Sequence, residues 1–320
     1  MKIETLRIKS ESLKGNRLND PAERDITVIQ YNLNKNTPVL IGLAGFFGSN
    51  VSFMNRSYSS MDFPTVLKRI IDHKLLDSFL IVLPDTMTSL GGNQYLNSPS
   101  VGNYEDFITR ELVSVLNERF GQRKIGLFGK SSGGFGAYTL VSRHPDQFDG
   151  FIDVSGDSGF EYCYLRDMAT AITTLNKEPM DEIIRKFRSG AVLNREELDT
   201  MNIIAMSAFY SPSDNCKFGI ELPFDTSSGE FLDSVWKKWN EFDPVRNIDS
   251  YAGNLKGKKI ILQVGSKDEF SMNIGINTLS KKMKNNGIDH KIDIYDSGHF
   301  SLDYTYLDSI PEMNRRLSQD

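Results

Sequence analysis

A chain of 320 residues, 39% hydrophobic and 25% charged, has the composition of a folded globular protein, which excludes a disordered or fibrous class. Its formal net charge is −5, and no basic cluster or basic-aromatic stripe could neutralise a run of phosphates, so neither nucleic acid nor a charged membrane surface is expected as a partner. The first residues, MKIETLRIKS, lack the apolar core of a signal peptide, and no stretch approaches about eighteen uninterrupted apolar residues, so the expected compartment is the cytoplasm.

In chain order, two extended segments at 2–13 and 25–33 read as leading antiparallel strands. Four apolar runs follow, PVLIGLAG (38–45), FLIVLPD (79–85), KIGLFGKS (124–131) and GFIDVSGD (150–157), each bounded by Gly, Pro, Ser or Asp. Such runs suit strands covered on both faces. Between them, 64–76 (Val66, Leu67, Ile70, Ile71) and 104–120 (Phe107, Ile108, Leu112, Val115, Leu116) carry apolar residues three to four apart, the period of an amphipathic helix. Alternating strand and helix predicts a parallel sheet.

Residues 158–250 break the rhythm with three helical patterns near 179–188, 194–208 and 229–240, and this segment holds Trp236, Trp239 and several other aromatics. Those aromatics can bury enough area to fold, which predicts a helical cap or lid inserted into the core. The rhythm resumes with KKIILQVGSKD (258–268), a helix at 272–286, the strand KIDIYDSGH (291–299) and a closing helix near 301–317. The expected organisation is a core formed by 1–157 and 251–320 with 158–250 inserted. Cys163 and Cys216 lie far apart without metal-ligand spacing and read as free thiols.

The sharpest chemical signal is Gly129-Lys130-Ser131-Ser132-Gly133, a G-x-S-x-G between a predicted strand (124–128) and a predicted helix (132–144). A sharp turn there strains the serine backbone and brings neighbouring chain close, which small flanking residues tolerate. The register selects Ser131 over Ser132 as nucleophile. A serine hydroxyl needs a base, and the base needs an orienting acid. Of four histidines, His73 and His144 lie in or at the end of helices and His290 opens a strand, whereas His299 follows a strand at the carboxyl end of the sheet. Asp268 ends the preceding strand in the same way; adjacent Glu269 is the alternative acid. Serine, then acid, then histidine is the chain order of the α/β-hydrolase fold. Two backbone N–H donors must face the developing oxyanion. Ser132 supplies one at the helix start. The turn Gly45-Phe46-Phe47-Gly48 supplies the other, with Phe46 favoured over Phe47.

With these residues in place, the chain resembles the Putative esterase family of α/β-hydrolases, which includes enterochelin esterase and the mycolyltransferases. The resemblance rests on LPDTMTSLGGNQYLNSPSVGNYEDF (83–107), GKSSGGFGAYTLVSRHPDQFDG (129–150) and the LPFD…W…FDPV pattern (222–245). It implies Ser131, Asp268 and His299 as nucleophile, acid and base, and Phe46 as an oxyanion donor. The first active-site loop departs from the family form in reading AGFFG. The expected architecture is a mostly parallel eight-stranded sheet with helices on both faces and a helical cap. The expected activity is cleavage of a small-molecule carboxylic ester through an acyl-enzyme, without metal or organic cofactor. An acyltransferase or a catalytically silent binding protein are the rival readings. Phe47, Gln94, Tyr95 and Lys130 are candidate substrate contacts, and a homo-oligomer is compatible with everything above.

Overall fold

In the computed structural model, which describes residues 1–57 and 61–319, eight strands form one sheet. They are β1 (Lys2–Lys9), β2 (Glu23–Tyr31), β3 (Val39–Leu43), β4 (Phe79–Pro84), β5 (Ile125–Lys130), β6 (Gly150–Val154), β7 (Lys259–Gly265) and β8 (Lys291–Tyr295), in the spatial order β1-β2-β4-β3-β5-β6-β7-β8. The strand β2 runs antiparallel to both its neighbours, and β3 to β8 pair in parallel. The sheet is therefore mixed at one edge and otherwise parallel.

Alternation along each apolar run explains how one strand serves two cores. Val28, Ile41, Val82, Leu127 and Phe151 join one buried cluster, while their neighbours Ile29, Leu40, Ile81, Phe128 and Ile152 join another across the sheet. The second cluster is closed by α1 (Phe63–Asp72) and the C-terminal helix Tyr306–Ser318. Asp62 caps α1 by accepting from the Thr65 N–H at 2.8 Å, and Pro64 fits the first turn, where no amide hydrogen is needed. The first cluster is covered by α2 (Ser132–Arg143), Met272–Asn285, the helical run at 104–120 and the helices that follow β6.

Those helices are Phe160–Cys163, Leu165–Lys177, Met180–Arg188, Arg195–Tyr210, Asp233–Asn240 and Pro244–Leu255. Phe160, Tyr164, Tyr210 and Trp239 pack ring on ring in their midst, and the Trp239 indole N–H donates to Ser211 Oγ at 2.9 Å. Most of the aromatic content of 158–250 thus builds that segment's own core. Buried Asp243 stitches its two ends together, accepting from the N–H groups of Gly159 at 2.9 Å and Phe160 at 3.0 Å while capping Pro244–Leu255 through the Val245 N–H. No helix among the described residues is long and apolar enough to cross a membrane. Cys163 and Cys216 are free thiols.

Candidate active site

Between the end of β5 at Lys130 and the start of α2 at Ser132, a single residue makes the turn. Ser131 does so at φ 57° and ψ −128°, a conformation that costs a non-glycine residue on the order of 1–3 kcal/mol and persists only where the surroundings enforce it. They do: the Ser131 N–H donates to Val154 O at 3.0 Å, and its carbonyl accepts from the Phe135 N–H at 3.0 Å. The flanking glycines are a steric requirement. A Cβ on Gly129 would lie 2.3 Å from the Gly133 carbonyl carbon, and one on Gly133 would lie 2.0 Å from Leu43 O. The helix therefore crosses β3 and β5 at backbone contact, and the elbow points Ser131 into a cavity of about 600 Å³.

His299 enters the same cavity from a short turn after β8. Its Nδ1 and Asp268 Oδ2 are 2.8 Å apart, and both side chains are buried. With Nδ1 as donor, Nε2 is left as an acceptor. Burial opposes ionisation of Asp268, but the hydrogen bond and charge of His299 and the Phe270 N–H outweigh it, so the carboxyl lies below the usual carboxylate range. Glu269, left open above as the rival acid, instead accepts from the backbone N–H of His299. The two neighbouring acids thus divide the work, one on the imidazole and one on the chain that carries it. Lys130 adds a third tie, its Nζ lying 2.8 Å from Asp303 Oδ1 and joining the elbow to the turn beyond His299. The Phe270 ring packs edge-on against the imidazole at 4.9 Å.

The amides near Ser131 are unequally committed. Phe47 N–H donates to Gly91 O at 2.7 Å, whereas the N–H groups of Phe46 and Ser132 have no hydrogen-bond partner among the described residues. Both residues line the cavity.

A family model described as Putative esterase matches residues 20–316. The chain belongs to that family. Membership puts this esterase among the carboxylic-ester hydrolases. No curated protein sequence matches it. Similar solved structures include a ferulic acid esterase, at 18% identity and a TM-score of 0.58 with 99% of this chain and 98% of that chain covered. An S-formylglutathione hydrolase from Agrobacterium tumefaciens aligns at 16% identity and a TM-score of 0.59, covering 98% and 95%. The fluorophosphonate-binding serine hydrolase FphF of Staphylococcus aureus aligns at 15% and 0.57, covering 100% and 99%. At these identities the likeness concerns the fold.

Within the esterase, the candidate contacts of the GGNQY loop need correction. Gln94 and Tyr95 are fully buried and stand behind the cavity wall. Gln94 Nε2 donates to Ser132 Oγ at 2.7 Å, and the Tyr95 hydroxyl donates to Ala44 O at 2.7 Å, with its ring against Gly136. They brace the elbow and its facing loop, because a loop threaded between α2 and β3 finds packing before it finds solvent. Phe47 and Lys130 do line the cavity.

The residue that sequence reasoning missed is Asp157. It is buried just past β6, with Oδ1 3.4 Å from the Ser131 hydroxyl. Its Oδ2 accepts from the Tyr164 hydroxyl at 2.7 Å and from Gln94 Nε2 and Ser132 Oγ at 3.3 Å each. Burial pushes its carboxyl up. In this arrangement the Ser131 hydroxyl is bonded to Asp157 and the imidazole to Asp268, and the link between serine and imidazole is not made. The available signal was its position, an acid at the carboxyl end of a central strand.

Proposed function

We propose that this esterase cleaves a small-molecule carboxylic ester in two acyl-transfer steps with Ser131 as nucleophile, His299 as general base and acid, and Asp268 as the group that orients the imidazole. In the first step the Ser131 hydroxyl turns from Asp157 to His299 Nε2. Oγ attacks the ester carbonyl, Nε2 takes the proton, and the same proton passes to the departing alcohol. In the second step water, deprotonated by Nε2, attacks the acyl-enzyme, and Ser131 recovers a proton as the acid leaves. The free amides of Phe46 and Ser132 receive the oxyanion in both steps, already oriented and without competing partners. Asp268, held ionised by its surroundings, favours the imidazolium formed in each transition state.

The observation that carries this reading is a strained Ser131 sharing one cavity with a buried His299–Asp268 pair. We take residues 158–250 as the cap of that cavity, since Tyr164, Asp167, Arg195 and Asn202 line it from that segment. A fluorophosphonate probe followed by peptide mass spectrometry tests the assignment. Modification at Ser131 is expected, and a folded protein with Ser131 unmodified would overturn it.

A further inference from the structure

The two-step mechanism gives Asp157 no task, yet this buried carboxyl stands on the cavity wall beside the nucleophile. Its oxygens differ. Oδ2 is held by three donors, the hydroxyls of Tyr164 and Ser132 and the amide of Gln94. Oδ1 meets only the Ser131 hydroxyl, at 3.4 Å, which is long for a hydroxyl donating to a carboxylate. A carboxylate offers about four acceptor positions, so Oδ1 faces the cavity with capacity to spare. When Ser131 turns to His299, Oδ1 loses even that donor.

This placement creates an electrostatic problem during turnover. The tetrahedral intermediate carries negative charge on an oxygen attached to the carbon that Oγ has bonded, and an ionised Asp157 nearby opposes that charge. An ester of a plain hydrocarbon acid leaves the problem standing and strands Oδ1 without a donor. A donor on the carbon next to the carbonyl removes both difficulties. Covalent geometry puts an atom attached to that carbon about 3 Å from Oγ in the acyl-enzyme. Oδ1 is 3.4 Å from the same Oγ, so the two atoms can meet at hydrogen-bond distance. Asp167 and Asp199 also line the adjoining wall, each paired with an arginine of its own helix, Arg166 at 3.5 Å and Arg195 at 2.9 Å, which leaves Asp157 Oδ1 as the acceptor beside the nucleophile with capacity to spare.

We propose that Asp157 is a specificity-determining residue, selecting acyl esters that carry a hydrogen-bond donor, hydroxyl or ammonium, on the carbon adjacent to the scissile carbonyl. The proposal rests on the reading of Ser131 as the nucleophile. The donor keeps its proton throughout, and Asp157 neither forms nor breaks a covalent bond.

The test compares ethyl lactate, alanine ethyl ester and ethyl propionate on the full-length enzyme, each kcat/KM being divided by the ester's own alkaline hydrolysis rate to remove inductive effects. The lactate or alanine ester is expected to exceed propionate by about tenfold or more after that correction. In Asp157→Asn the advantage of the alanine ester should fall to within about threefold, and that of lactate should fall less, because the amide oxygen still accepts from a hydroxyl. Asp157→Ser serves the same purpose if the asparagine variant does not fold. Equal corrected rates in the wild type would overturn the proposal and leave ester hydrolysis intact. So would a uniform loss on all three esters in the variant with the preference kept, since that marks a structural role. Turnover of none of them, together with an unlabelled Ser131, would remove the hydrolase reading and this proposal with it.

Discussion

The elbow and the helical segment after β6 meet at one cavity but are built on different logic. At the elbow, backbone contact dictates residue type: Gly129 and Gly133 have no room for a Cβ, and Ser131 is held at positive φ by hydrogen bonds from two elements. In the helical segment the large aromatics Tyr210 and Trp239 turn inward to build a core, and the side chains turned to the cavity include Asp167, Arg195, Asp199 and Asn202. Rigidity near the reacting atoms and replaceable polar contacts opposite them is the arrangement expected where one part fixes the chemistry and the other tunes what enters.

That contrast is most directly broken at the nucleophile. Ser131→Ala should lower kcat/KM for any accepted ester by about 10⁴-fold or more with an unchanged thermal unfolding transition, because the deleted hydroxyl contributes one long hydrogen bond to the fold. Steady-state kinetics with differential scanning fluorimetry checks both halves. A variant retaining a tenth of the activity would move the chemistry away from the elbow.

The two adjacent acids sharpen the comparison within the core. Asp268→Asn should cost about 10³–10⁴-fold in kcat, since an amide presents the imidazole with the wrong hydrogen-bonding partner or tautomer. Glu269→Gln should cost about tenfold or less, because the amide oxygen still accepts from the His299 N–H. Parallel kcat measurements on the two variants decide between them, and equal losses would return the pair to ambiguity.

Trp239→Ala probes the other region. Its indole is buried between Tyr164 and Tyr210, and its removal should destabilise the protein by about 3–5 kcal/mol in urea denaturation. Molecules that remain folded should still take the fluorophosphonate at Ser131. A folded but unlabelled variant would show that the elbow depends on the helical segment for its shape.

The same division governs what could be read from the amino-acid order. All eight strands of the large sheet, the elbow and the His299 turn were legible because each is dictated by near neighbours: alternation in the strands, glycines at fixed offsets, a histidine directly after a strand. The helix Leu165–Lys177 was not, since its inward face mixes Met168, Ala171 and Leu175 with buried Asp167, and its threonines weaken the helical signal. Gln94 and Tyr95 were placed near the site but on the wrong side of its wall, because which face of an irregular loop turns inward is set by α2 and β3, distant in sequence. Asp157 owes its importance to Gln94 and Tyr164, and nothing adjacent to it announces them.

The smallest expected effect concerns Asp153, one turn of chain before Asp157 and wholly inside the core. Burial pushes its carboxyl up to about 7, against the help of the Gly156 N–H donating to Oδ1 at 2.7 Å. A raised acid favours the protonated form in the folded state. Below the ordinary carboxylate range both folded and unfolded chains hold the proton, and the group contributes no pH dependence. Between that range and about pH 7 the folded chain keeps a proton that the unfolded chain has released, so stability falls as pH rises through this window and then levels off. Asp153→Asn removes the titration while keeping an oxygen for the Gly156 N–H. The variant should therefore gain on the wild type between pH 5 and pH 8, by on the order of 1–3 kcal/mol in urea unfolding. A constant difference across that range would mean that water or a cation reaches Asp153, and that the core beneath the elbow is less closed than its packing requires.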